Sequence, residues 1–261
     1  MSSPHDALMA ELFRRYDAAS LGAFRRIQAE TKADGTTVTA VDRDTSRLVV
    51  EALQAHTPDF GVISEEEAQA FLPQARWKWV VDPLDGTASF ARGYPVWGLG
   101  IGLLEGDQAR QGYLRFPALD ETYTFDGVQF AFNGRPVAPL REPDVQDTHN
   151  YLIDSSLHRW LQSFAPLRHV KLRVFGSALY HLVSLAMGRA EAMICGRIHL
   201  WDLAAALPMT RAQGFTERYV DGSAFDLGEV VRAEGYRVRM PLVFSTPERI
   251  DDILARLQSV M

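Results

Sequence analysis

A single cysteine, Cys195, is all the thiol that 261 residues contain. That excludes a disulfide framework and a thiolate zinc site, and makes a reducing cytoplasm the expected compartment. Positive charge is also short: 27 Lys and Arg stand against 33 Asp and Glu, a formal net charge of −6. This balance argues against a nucleic-acid partner held through phosphates. It does not exclude a small anionic substrate, because a bound cation can invert the local field. No apolar run reaches the length of a bilayer span, so no membrane partner is expected. The opening "MSSPHDALMAELFRR" has no basic segment leading into an apolar stretch, and no signal peptide is expected. Internal repeats and low-complexity tracts are missing as well.

Apolar residues are plentiful, at 47%, enough for one large core or two smaller ones. Leu8, Leu12, Tyr16, Phe24 and Ile27 recur at helical spacing and predict an amphipathic helix over 6–30. The polar "TKADGTT" then reads as a surface loop and "VDRDTSRLVVEALQAH" as a second helix. "DFGVIS" and "WKWVV" read as short strands. The runs "VWGLGIGLL", "GYLRF" and "ETYTF", separated by turn residues, predict an antiparallel sheet. Around "LREPDVQD" the rhythm changes to strands and helices in alternation, the pattern of α/β layers. In that half "WDLAAALPMTRAQG" reads as one helix. The expected organisation is an N-terminal α+β portion (1–140) followed by a C-terminal α/β portion (141–261).

The acidic residues sit where this pattern breaks. The strand "WVV" ends at Asp82, and the carboxyl end of a strand is where layered sheets usually bind ligands. Pro83 lacks an N–H and is expected to end the ladder. Asp85 follows, and Gly86 allows close approach of backbone to a ligand. A helical turn starting near Thr87 would aim free N–H groups at the same spot and favour an anion. Two carboxylates beside an anion site call for a divalent cation between them. The same residues also read as a turn with a helix cap. Glu65, Glu66 and Glu67 after "FGVI" read alone as a solvated patch, and Asp42 and Asp202 alone as helix caps. Four acidic positions nonetheless stand at the edges of apolar elements.

One phosphatase pattern places a nucleophilic aspartate in Asp-x-Asp-Gly-Thr, as in the haloacid-dehalogenase type. Here the string Asp82-Pro83-Leu84-Asp85-Gly86-Thr87 is one residue longer. In an extended segment that extra residue turns a side chain to the opposite face, and the pattern fails. Taken together, "ISEEEA", "WVVDPLDGTASF", "FGSALY" and "LWDLAAALPMTRAQG" resemble the inositol monophosphatase family, in order and over nearly the whole chain. The resemblance implies a layered α-β-α-β-α sandwich of the sugar-phosphatase type, in the α+β class, and a homodimer. It implies metal ligation by Glu66, Asp82, the Leu84 carbonyl, Asp85 and Asp202. Gly86 and Thr87 would meet the phosphate through backbone N–H groups. Asp42 and the Thr87 hydroxyl, with Glu66, would orient the attacking water, and no covalent phospho-enzyme would form. Ser177, Ala178, Cys195 and Arg197 fall on the substrate side. Mg²⁺ is the implied cofactor, with Mn²⁺ also possible, and Li⁺ an inhibitor; the all-oxygen ligand set independently favours these hard cations over zinc.

Four positions depart from that pattern, and two of them, Cys195 and Arg197, bear on the substrate. Ser64 precedes the glutamates where the family has glycine, and Ala88 follows the Gly-Thr where Thr or Ser is common. Cys195 stands where members acting on inositol phosphate carry a carboxylate toward a sugar hydroxyl, and Arg197 stands where glycine is usual. Such a pocket would bind a neutral polyol less well and could favour a substrate with a second anionic group; Arg197 reads equally as a solvent or subunit contact. "KADGTTVT" looks like the loop of members that hydrolyse histidinol phosphate, with Lys32 and Asp34 able to reach a site on closure. The expected function is hydrolysis of a small phosphate ester. The alternatives are a phosphatase for histidinol phosphate or another sugar or nucleotide phosphate, and a regulatory, protein-binding member with secondary catalysis. Tyr180, His181 and His199 are expected to pack rather than react.

Overall fold

The computed structural model describes residues 3–26, 29–31, 37–67, 70–140, 149–160, 167–196 and 198–258. Arg197, Lys32, Asp34 and most of "LREPDVQD" lie outside these residues. Helix α1 spans Asp6–Ala23, a short ladder pairs β1 (Glu30–Thr31) with β2 (Thr37–Val38), and α2 spans Ala40–His56. A seven-stranded sheet follows, built in chain order from β3 (Gly61–Ser64), β4 (Trp77–Asp85), β5 (Gly98–Glu105), β6 (Gln108–Phe116), β7 (Glu121–Phe125), β8 (Phe130–Phe132) and β9 (Arg135–Pro136). The short helix α3 (Thr87–Ala91) interrupts it after β4. β3 pairs parallel to β4 and every later neighbour is antiparallel.

The second sheet has five strands: β10 (Asn150–Ile153), β11 (Lys171–Arg173), β12 (Ala192–Cys195), β13 (Thr216–Tyr219) and β14 (Leu242–Ser245), in spatial order β11-β10-β12-β14-β13. Helices α4 (Ala178–Ala186), α5 (Leu200–Ala204), α6 (Leu207–Ala212), α7 (Leu227–Arg232) and α8 (Ile250–Gln258) complete the chain. The sheet is mixed, not purely parallel, because β14 runs antiparallel to both β12 and β13.

Strand periodicity sorts side chains into three cores and so into five layers. On β4, Trp79 and Val81 join α1 and α2 in one core, while Val80 faces the other way. That other core also takes α4, α5 and α6, together with Leu152, Met193, Leu242 and Phe244 from the second sheet. The remaining face of the second sheet, with Tyr151, Ile194 and Val243, packs on α8. The order is therefore α-β-α-β-α, as the resemblance implied. The middle helices can lie this close because β5 and β6 present glycine there. A Cβ at Gly100 would stand 2.4 Å from a Leu179 methyl, and one at Gly112 would stand 1.8 Å from the Ala205 carbonyl oxygen.

Two expectations about elements give way. The first helix stops at Ala23, because Phe24 leaves helical geometry and inserts its ring against Phe90 and Trp97. "WDLAAALPMTRAQG" forms two helices rather than one: Pro208 sits in the first turn of α6, where a missing N–H is tolerated, and the helix is interrupted by a turn at Ala205–Ala206.

Candidate active site

Pro83 does not end the ladder. β4 pairs Asp82 with Gly100 and resumes at Asp85 with Gly98, three steps on one strand against two on its partner. This is a bulge, and Pro83 sits inside it, where a missing N–H costs no ladder bond. In a regular strand, residues three apart face opposite sides. The extra residue re-aims Asp85 to the side of Asp82, which is how two carboxylates from one strand reach one cavity.

A third carboxylate, from Asp202 at the start of α5, completes a cluster whose ligand atoms all lie within 4.8 Å of one another. The cavity above it measures about 320 Å³ and is lined by Thr37, Glu65, Asp82, Leu84, Asp85, Gly86, Thr87, Ala88, Gly176 and Asp202. Three helix N-termini are tied to carboxylates here. Asp42 closes the capping box of α2, its Oδ2 accepting from Thr39 N at 2.8 Å and Thr39 Oγ1 at 2.5 Å. Asp202 does the same for α5, accepting from His199 N at 2.7 Å. Asp85 receives Ala178 N at 3.0 Å, Leu179 N at 2.9 Å and the Ser177 hydroxyl, all from the start of α4. The helix-cap and site readings of Asp42 and Asp202 are thus compatible: one oxygen caps a helix, and the rest of the carboxylate is free for other work.

Thr87 connects the cluster to Asp42. Its Oγ1 stands 2.8 Å from Asp42 Oδ1 and 2.9 Å from the Leu84 carbonyl oxygen, two acceptors for one hydroxyl proton. The preceding Gly86 adopts φ +83°, the left-handed conformation that lets β4 turn directly into α3; a Cβ there would also meet the Val96 carbonyl at 2.8 Å.

The charges are crowded. Two carboxylates about 5 Å apart repel by on the order of 3 kcal/mol at an effective dielectric near 20. Burial first, then Glu65, Asp85, Asp202 and Asp42, push the Asp82 carboxyl well above its ordinary range. Burial and Asp202 push Asp85 to about 7, even though its hydrogen bonds from Ser177, Leu179 and Ala178 pull the other way. Burial likewise raises Asp42, against the hydrogen bonds from Thr39 and Thr87. Among the described residues no lysine or arginine pairs with Asp82, Asp85 or Asp202; the nearest partner is His199, whose Nδ1 lies 3.6 Å from Asp202. An oxygen-only donor set with no lysine or arginine countercharge among the described residues fits a hard divalent cation.

The structure brings together most of the residues singled out in the sequence and places four of them, Glu66, Ser177, Ala178 and Cys195, outside the cavity lining. Asp42, Asp82, Leu84, Asp85, Gly86, Thr87 and Asp202 converge. Glu65, not Glu66, lines the cavity and faces Asp82, while Glu66 acts on Asp42 and Arg43. The turn after β3 sets which glutamate points inward, and three identical neighbours hide that choice. Ser177 and Ala178 donate to Asp85, as an N-cap serine and the first helical N–H groups seek the nearest anion. Cys195 is not at the cavity. It is fully buried on the inner face of β12, its S–H aimed at the Leu242 carbonyl at 3.6 Å, and burial pushes its thiol well above the usual range. Alternation along the strand puts it in the core with Met193. Thr37 and Gly176 are cavity residues that the sequence patterns did not single out, and Ala88, noted there only as a departure from the family string, lines the cavity too.

A family model described as the inositol monophosphatase family matches residues 8–250. A histidinol-phosphatase of Chlorobaculum parvum is 30% identical over 226 residues, covering 81% of this chain and 84% of that protein. An inositol-1-monophosphatase of Synechocystis is also 30% identical, covering 82% and 78%. Among solved structures, an IMPase/NADP phosphatase in complex with Mg²⁺ and phosphate superposes with a TM-score of 0.81 at 18% identity, covering 97% of this chain and 95% of that one.

Proposed function

Because the chain belongs to the inositol monophosphatase family and is a phosphoric monoester hydrolase, we propose that it cleaves a small soluble phosphate ester with Mg²⁺ held by Glu65, Asp82, Asp85, Asp202 and the Leu84 carbonyl. The observation that carries this is the convergence of Asp82, Asp85 and Asp202 within 4.8 Å on the floor of one cavity. When bound, the cation supplies charge neutralisation for the phosphate and lowers the pKa of water beside it. Everything else falls to the chain. Asp42 takes the Thr87 hydroxyl proton as a hydrogen bond, which leaves a Thr87 lone pair to accept from, and so orient, a water molecule. The backbone N–H groups that open α3 at Gly86 and Thr87 face the phosphate. No side chain need act as a covalent nucleophile; the one thiol is buried away from the cavity.

Mn²⁺, with the same preference for oxygen, is expected to substitute for Mg²⁺. Li⁺ inhibition, a homodimer and a cytoplasmic location belong to the same proposal. The first two rest on the family resemblance and the last on the one-cysteine composition; no helix among the described residues is long and apolar enough to cross a membrane. Inositol monophosphate is the substrate the resemblance favours, with histidinol phosphate second. The burial of Cys195 removes the argument that a thiol in the pocket weakens binding of a neutral polyol.

The test is hydrolysis of p-nitrophenyl phosphate with Mg²⁺ and with EDTA. Activity that requires Mg²⁺ supports the proposal, and full activity in EDTA overturns it. A screen of inositol-1-phosphate, histidinol phosphate, fructose-1,6-bisphosphate and 3′-phosphoadenosine 5′-phosphate by kcat/KM then ranks the substrates.

A further inference from the structure

His181 lies in the first turn of α4, 1% exposed, with only part of its hydrogen-bonding capacity used. Its Nε2 accepts a hydrogen bond from Phe175 N at 2.9 Å. Its backbone N–H donates to the Ser177 carbonyl at 3.2 Å. One residue therefore grips both sides of Gly176. An acceptor at Nε2 places the ring proton on Nδ1, and Nδ1 is buried with no hydrogen-bond partner among the described residues.

Packing alone does not account for this. A buried donor left unpaired costs about 1–3 kcal/mol, and leucine would fill similar space without it. What leucine would lack is the acceptor for Phe175 N. The segment held by that bond is the one that presents Asp85 with its donors: the Ser177 hydroxyl, Ala178 N and Leu179 N. Its path has little slack. Gly176 adopts φ +77°, and a Cβ there would stand 2.6 Å from Ser89 Oγ.

We propose that His181 is a positioning residue. Its imidazole pins the turn from Phe175 to Ser177, fixes the start of α4 against Asp85, and so holds Asp85 at the cation site. Burial keeps the ring neutral, its pKa pushed down to about 4, so the acceptor lone pair persists at working pH. The inference rests on the reading of Asp82, Asp85 and Asp202 as a cation site.

The experiment measures Mn²⁺ binding to the full chain by electron paramagnetic resonance, with no substrate present. It compares wild type, His181→Leu, His181→Gln and His181→Asn, each checked for folding by circular dichroism and Tm. The Gln carbonyl reaches the place of Nε2, whereas the Asn carbonyl stops near the place of Nδ1. Residues that orient a metal ligand typically change metal affinity 10–100-fold. His181→Leu and His181→Asn are expected to raise the Mn²⁺ dissociation constant about tenfold or more, and His181→Gln to recover most of that loss. Wild-type affinity in a folded His181→Leu overturns the proposal. If the leucine variant does not fold, equal Mn²⁺ affinities in the Gln and Asn variants overturn it. If wild type itself binds no Mn²⁺, the cation-site reading fails and this inference falls with it, an outcome distinct from the other two.

Discussion

Thr87 donates to Asp42 across 45 residues of chain, Oγ1 to Oδ1 at 2.8 Å, and joins the N-terminus of α3 to the capping box of α2. In the proposed mechanism this contact makes the helix cap part of a water-orienting pair. Thr87→Ala is therefore expected to lower kcat by about a hundredfold or more, within the usual range for loss of a proton-transfer partner. KM should change little, and Thr87→Ser should retain most activity. Steady-state kinetics on p-nitrophenyl phosphate with saturating Mg²⁺ checks this; a Thr87→Ala enzyme within threefold of wild type would remove Thr87 from the chemistry.

The crowded carboxylates give the metal-free protein a distinctive pH dependence. Asp82 and Asp85 have raised pKa values in the fold, so between the unfolded value and the folded one the native state binds more protons. Their contribution to stability is present at low pH and is lost as pH rises through the folded pKa, which for Asp85 is about 7. A bound cation offsets that loss. The Tm increase produced by Mg²⁺ is thus expected to be larger at pH 8 than at pH 6, as read by differential scanning calorimetry at matched ionic strength. An equal increase at both values would contradict it.

Asp82→Asn keeps the acceptor for Leu84 N, now 3.1 Å away, and removes a buried charge that burial and four carboxylates all disfavour. Its metal-free Tm at pH 8 should exceed that of wild type, while the Mg²⁺-induced increase and the activity should both vanish. This is the trade between stability and function common at active sites. A metal-free Tm below wild type would count against the electrostatic account of the cluster.

Cys195 is expected to be inert in the native fold. Its burial and raised thiol pKa predict reaction with a thiol reagent such as DTNB only after denaturation. Cys195→Ser should leave KM for the phosphate ester unchanged, since the side chain faces Leu242 and not the cavity. Fast labelling of the native enzyme would contradict this.

Gly112→Ala probes the seat of the middle helix layer. The added methyl would meet the Ala205 carbonyl, which is backbone and cannot step aside. A loss of about 3 kcal/mol, at the upper end for overpacking, is expected by chemical denaturation. A change below 0.5 kcal/mol, roughly the scale of an ordinary surface substitution, would show that the helices sit more loosely than described.

Much of this site is legible in the residues themselves. "WVV" ahead of Asp82 marks a buried strand, and Asp42 and Asp202 mark helix starts; all three hold because burial and capping are local in sequence. The alternating glycines of "VWGLGIGLL" also carry a signal, a smooth strip on which α4 and α5 rest, although periodicity alone shows only a strand. What is not legible depends on register. The bulge at Pro83 decides that Asp82 and Asp85 share a side, and a turn decides that Glu65 rather than Glu66 reaches the cavity. Cys195 needs the strand's phase against α4 and β14 before its burial is evident. The antiparallel course of β14 is set by pairing with strands far away in sequence.

The most direct measurement is a crystal structure of the protein soaked in Mn²⁺, read by anomalous scattering at the manganese edge. An anomalous peak between Asp82, Asp85 and Asp202, with Glu65 or the Leu84 carbonyl at coordination distance, is the expected result. A cavity without a peak at millimolar Mn²⁺, or manganese bound only elsewhere on the molecule, would contradict the claim that these carboxylates form a divalent-cation site.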